Sequence, residues 1–127
     1  MSLREKGFKT IFSDIDGTLI EQVYFNELDP NVVNVLEGVK EKMNEWYEAG
    51  HCILLTTARP EELREVTVKQ MEIAGIRYHQ LIMGVGRDER ILINNNSKGT
   101  PNVPRALSVA VPRDNGFENI QWNEVGL

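Results

Sequence analysis

Apolar positions along this chain fall into two periods, and the alternation between them predicts the elements. Thr10, Ile11 and Phe12 form a β-prone run that delivers Asp14 and Asp16 and ends at Gly17. Val32, Leu36, Val39, Met43 and Trp46 follow at alternating four- and three-residue steps, which is one face of a helix. Asp29 is placed to cap that helix, Pro30 to occupy its first turn and Gly50 to end it. Residues 51–57 are then a continuous apolar run closing on two hydroxyls, the pattern of a parallel strand buried on both faces.

The same alternation repeats. Pro60, Glu61 and Glu62 open a second helix, with acids at the positive end of its dipole, and Gly75 stops it. Leu63, Val66, Gln70, Met71 and Ala74 form its inner edge. Residues 76–83 predict a third strand with its body over 78–83, and residues 84–89 a polar turn. Residues 90–93 predict a short strand leading into the polar run 94–99, and residues 106–111 a last strand closed by Pro112. Strand–helix–strand–helix–strand is the order of a right-handed parallel α/β sheet. The aromatics of residues 21–29 and of the tail beyond Pro112 show no clear period.

Composition narrows the class without changing the elements. A chain of 127 residues, 41% apolar and 26% charged, is expected to be one domain, 1–127, with a single core. A net charge of −5 argues against nucleic acid or an anionic membrane as the main partner. The single cysteine, Cys52, lies in an apolar run and reads as a buried thiol. Residues 1–9 are polar and basic, without the apolar core of a signal peptide, and no run approaches a membrane span of ~18 residues. The chain therefore reads as soluble and cytoplasmic.

The chemistry concentrates at Asp14-Ile15-Asp16-Gly17-Thr18-Leu19. Two acids at i and i+2 of a strand share a face, which is unfavourable unless a cation or a proton lies between them. One reading is an Asp-Gly hairpin turn. A calcium loop is excluded, because Thr18 and Phe25 stand where it needs an acid or amide and a glutamate. The stretch also resembles motif I of the haloacid dehalogenase superfamily of phosphohydrolases, an apolar strand followed by D-x-D-G-T-L. By that resemblance Asp14 is the nucleophile that forms an aspartyl-phosphate, Asp16 is the acid/base, and both help hold Mg²⁺.

Thr57-Ala58-Arg59 at the end of the second strand resembles motif II of that family, whose Thr bonds the transferring phosphoryl group. Thr57 also suits a helix cap, and Arg59 either a phosphate contact or an ion pair. Motif IV is expected after residues 90–93. There the chain reads Asn94-Asn95-Asn96 where the family commonly carries an acid, so Asn95 is the expected third metal ligand, through a carbonyl without charge, and Asn94 the fallback. Lys98 is the nearest candidate for the motif III cation and a substrate contact, with Arg87 in reserve.

The resemblance implies a Rossmann-like parallel sheet flanked by helices. Residues 17–56 and 58–94 are filled by predicted elements, leaving no room for a cap domain at either usual insertion point. A capless site is open, so a homo-oligomer is expected to cover it, with Phe117, Ile120 and Trp122 as one contact surface. The implied activity is Mg²⁺-dependent phosphomonoester hydrolysis on a small phosphorylated substrate such as a sugar phosphate. The alternative is a degenerate domain that binds a phosphorylated ligand or partner without turnover. Receiver domains also use an aspartyl-phosphate, but lack the D-x-D-G-T unit.

Overall fold

A computed structural model describes residues 7–127. Residues 1–6, most of the polar lead-in, lie outside the described part. Three strands form a parallel sheet in the order β1 (Thr10–Ser13), β2 (Cys52–Thr56), β3 (Gln80–Ile82), flanked by helices α1 (Val39–Glu48) and α2 (Arg64–Ala74). This is the α/β architecture that the alternating periods predicted. Ile11 pairs with Ile53 and Ser13 with Leu55, while Leu55 pairs with Leu81, so β2 is central. Ile53 and Leu55 are fully buried, as expected of a strand covered on both faces.

The core joins sheet and helices. Val39, Met43 and Trp46 of α1 and Met71 and Ala74 of α2 pack with Ile53, Leu55, Leu81, Ile15 and Leu19. A Gly75 in the left-handed region closes α2, as its position after the apolar stripe requires. A short 3-10 turn, Glu61–Leu63, leads into α2 one turn later than Pro60 suggested.

Three expectations fail. Helix α1 begins at Val39, not at Pro30, with Gly38 as its N-cap. Asp29 instead makes a local turn, its carboxylate accepting from the Asn31 amide at 2.8 Å. Beyond it, β-branched Val33 and Val35 belong to an extended segment across the motif loop: Ile20 bridges Val35, and the Leu36 amide donates to the Leu19 carbonyl at 3.0 Å. Val32, predicted inward, is 59% exposed. The remaining helical stripe, Val39–Met43–Trp46, is buried as predicted.

Neither residues 90–93 nor 106–111 form a strand. The pairing within this stretch is a bridge between Asn96 and Pro104, supported by the Ser97 amide donating to the Val103 carbonyl. Pro101 and Pro104 lack the amides a longer ladder needs, and no sheet edge receives the apolar triplet. Ile91 and Ile93 consequently stand 86% and 88% exposed.

The tail, finally, turns inward. Phe117 is buried, and Trp122 stacks edge-on against both Phe117 and Trp46 with centroids 4.8 Å apart. These aromatics extend the core and are not a free contact surface. Gly116 permits the approach: a Cβ there would stand 2.3 Å from the Glu37 carbonyl, and its φ of +81° suits glycine. Among the described residues, no helix is long and apolar enough to cross a membrane.

Candidate functional site

Strand β1 ends at Ser13 and hands the chain to a tight loop. Ile15 and Leu19 are driven fully into the core and anchor the two ends of the loop. The loop closes on itself, with the Gly17 amide donating to Ile20 at 2.8 Å and the Leu19 amide to Ile15 at 2.8 Å. Gly17 takes φ +78°, which the turn demands. This is neither a two-residue hairpin nor a regular strand. It presents Asp14 and Asp16 at the carboxyl end of β1, the place where parallel sheets bind ligands.

The two carboxylates then part company. Asp16 points down into a buried clamp. The fully buried Arg59 donates from Nε to Asp16 Oδ2 at 2.9 Å and from Nη2 to Oδ1 at 2.7 Å. Its remaining nitrogen donates to Thr67 Oγ1 at 2.9 Å and Gln70 Oε1 at 2.7 Å, both on α2. A buried guanidinium is tolerated only when its fork is satisfied in this way. Buried Thr67 and Gln70 explain themselves: they complete the shell of Arg59. Thr57 lies beneath the cleft as well, its hydroxyl accepting from the Arg59 amide at 3.1 Å in a turn before α2.

Asp14 stays at the surface, with Thr18 donating to its Oδ2 at 3.2 Å. It retains solvent contact, yet protein crowds it closely enough that burial raises its carboxyl above the ordinary range. The Ile15 amide, the Thr18 hydroxyl and the charge of Arg90 pull it back, while Asp16 adds to the rise. Around Asp14 lies an open cleft of about 440 Å³ lined by Asp16, Thr18, Gln22, Phe25, Arg87, Arg90, Val111 and Arg113 among others. The Arg87 guanidinium rests 5.1 Å from the Phe25 ring centroid.

Of the residues singled out by sequence, the structure thus gathers Asp14 and Asp16 at the cleft and Thr57 and Arg59 directly below it. Asn95 and Lys98 are exposed and do not line it. The cations that do are Arg87, Arg90 and Arg113. Arg87 had a sequence signal, as the reserve cation in the polar turn, whereas Arg90 was assigned to the short strand after it. Arg113 had none, because only the fold returns it to the loop, where the Asp114 amide donates to the Gly17 carbonyl at 2.8 Å.

A divalent cation needs oxygen donors, and Mg²⁺ is commonly held by one or two carboxylates together with phosphate oxygens and water. No cluster of three or more metal-ligating side chains occurs among the described residues. Both Asp16 oxygens are engaged by Arg59, which leaves Asp14 as the free carboxylate. That donor set fits an ion that arrives with a phosphate; it does not make a resident metal cage.

The parallel β1-β2-β3 sheet flanked by helices, with an Asp-x-Asp loop at the end of β1, has a haloacid-dehalogenase-like fold by its likeness to solved structures. Solved structures share it. The Pnkp1/Rnl/Hen1 complex matches 65% of this chain at 22% identity with a TM-score of 0.52, this chain spanning 30% of that one. D,D-heptose 1.7-bisphosphate phosphatase from B. bronchiseptica, complexed with magnesium and phosphate, matches 65% at 18% identity and TM-score 0.50, with 53% of its own length covered. A structural-genomics target from Vibrio cholerae matches 68% at 18% identity and TM-score 0.51, with 80% of its length covered. No family model and no curated protein matches the sequence. At these identities the likeness is one of fold.

Proposed function

We infer that the cleft at the end of β1 binds a phosphorylated small molecule and hydrolyses its phosphomonoester bond, acting in the cytoplasm. The observation that carries this reading is one carboxylate free of ion pairing, Asp14, in an open cleft that Arg87, Arg90 and Arg113 also line. Arginine forks match phosphate oxygens in geometry and charge, and they would hold phosphorus against the carboxylate. Asp14 would attack phosphorus, breaking the bond to the leaving oxygen and forming an aspartyl-phosphate. Water would then release phosphate and restore Asp14.

The leaving oxygen needs a proton, and Asp16 is the carrier by position. Arg59 holds both of its oxygens, so the pair must loosen, or a water must enter, before Asp16 gives or takes a proton. Arg59 is thus a positioning residue in this reading. Mg²⁺, held by Asp14 with phosphate and water, would neutralise phosphoryl charge when bound. The heptose bisphosphate phosphatase of similar fold and the polar lining from Thr18 and Gln22 favour a sugar phosphate as substrate. Asn95 and Lys98 take part only if the stretch carrying them reaches a cleft.

The doubly engaged Asp16 specifically favours a second reading, binding of the phosphorylated ligand without turnover. One experiment separates them. A Mg²⁺-supplemented phosphatase screen over sugar phosphates and nucleotides is run on the wild type and Asp14→Asn, alongside calorimetry with the same ligands. Turnover in the wild type that Asp14→Asn abolishes supports hydrolysis. Binding without turnover in either protein supports the second reading. Turnover that survives in Asp14→Asn removes the nucleophile assignment, and absence of both binding and turnover removes both readings.

A further inference from the structure

Strand β1 leads into Asp14 and is an edge of the sheet among the described residues. The Lys9 carbonyl accepts from the Cys52 amide at 2.9 Å. In a parallel ladder this turns the backbone groups of Lys9, Ile11 and Ser13 toward β2, and those of Thr10 and Phe12 away from it. Protein edges of this kind are normally blunted by lysine, proline or a bulge. Here the outward residues are Thr10 and Phe12, and Phe12 is 52% exposed.

The same chain carries a matching strand-former with nowhere to go. Residues 86–110 are exposed except for Ser97 and Ala106. They leave the cleft at Arg90, present Ile91, Leu92 and Ile93 to solvent, and return to the cleft at Val111. An apolar triplet this open, with two β-branched members, is unusual on a chain that stays alone. Charge points the same way. Residues 90–113 hold four basic residues and no acid, in a chain with 19 acids and 14 bases. A basic arm and an acidic remainder attract each other between copies.

We propose that two copies of this chain exchange these arms, each laying Ile91-Leu92-Ile93 along the open edge of the other's β1. The contact is isologous, so one two-fold axis satisfies both edges at once. Backbone amides and carbonyls of Thr10 and Phe12 gain partners, and Phe12 and the triplet leave water together. Added parallel to β1, the arm also brings Asn94 and Asn95 of the second copy to the end of the strand, beside Asp14. The site of one copy is then completed by the polar run of the other. The pairing does not depend on the phosphatase reading; only the use of Asn95 does.

The test is light scattering on the wild type over a range of concentrations, with amide hydrogen exchange on the same samples. The wild type should show twice the chain mass, with the Thr10 and Phe12 amides protected in the dimer. The Ile91→Lys/Ile93→Lys double variant should halve the mass and keep its thermal melt, since both positions are exposed in the single chain. Thr10→Pro should act likewise from the other side, because its amide faces away from β2. A monomeric wild type overturns the proposal, whether its arm folds back or captures a labelled single-stranded RNA. So does a dimer that survives the double variant, or one in which the Phe12 amide exchanges freely.

Discussion

Two apolar triplets in this chain are nearly identical in chemistry and opposite in fate. Ile53-Leu54-Leu55 lies in β2 with strands on both sides, and its outer members are fully buried. Ile91-Leu92-Ile93 has the same hydropathy and stands in water. The difference is not propensity but neighbours. The β-α-β-α-β unit supplies β2 with β1, β3 and both helices, whereas no strand in the described chain pairs with the second triplet. A run of strand-formers becomes a strand only where another backbone completes its hydrogen bonds.

The contrast can be broken from the buried side first. Arg59→Ala leaves the Asp16 carboxylate uncompensated beneath the cleft and should cost about 3–5 kcal/mol in urea unfolding. Replacing both residues by apolar ones of similar volume should recover much of that. A small loss in Arg59→Ala would mean that the clamp is wetter than its geometry implies. Next, Leu55→Ala should cost about 2–5 kcal/mol by loss of packing, and Ile93→Ala no more than about 0.5 kcal/mol at dilute protein. Equal costs would erase the distinction between the triplets.

Trypsin offers a coarser comparison. Cleavage should come first at Arg90, Lys98 or Arg105, and more slowly as protein concentration rises, while the β1–β3 body resists. Early cuts within α2 would reverse the order of stability assumed for the two regions.

The smallest effect concerns Asp14. Burial raises its pKa, so the folded protein holds that proton more tightly than the unfolded chain does. Its stabilising contribution is complete below the ordinary carboxylate value near ~4 and is lost as pH rises through the raised value. At neutral pH the charged group is therefore a slight cost. Asp14→Asn should melt a little above the wild type at pH 7, and the gap should close on acidification. A gap that widens toward low pH would contradict the direction of the shift.

Much of the body was legible because each apolar period there matches a face that is buried. β2 and α2 follow their patterns closely, and Gly17 and Gly75 sit where turns were expected. The start of α1 was not, since Val33 and Val35 satisfy a helical spacing and a strand pairing alike, and only contact with Leu19 and Ile20 decides between them. Asp14 and Asp16 were legible as a pair, but not their division of labour. That depends on Arg59, Thr67 and Gln70 meeting beneath the loop from two elements. Of the cleft cations only Arg87 was visible, because Arg90 and Arg113 are joined by an excursion whose return no local pattern announces.

That return has a consequence for the order in which the molecule is made. The Gln22 amide of the site loop donates to the Asp114 carboxylate, 92 positions later, and the Gly17 carbonyl accepts from the amide of the same aspartate. A ribosome exposes Asp14 and its loop early, and the sheet and helices can assemble as β3 emerges. The loop still lacks its clasp until Asp114 has been added and has left the exit tunnel. Arg113 is added just ahead of it, so the third cleft arginine arrives with the clasp. A nascent chain halted after β3 should thus contain the body without a finished cleft, and ligand capture on stalled ribosomes would date the moment at which the site closes.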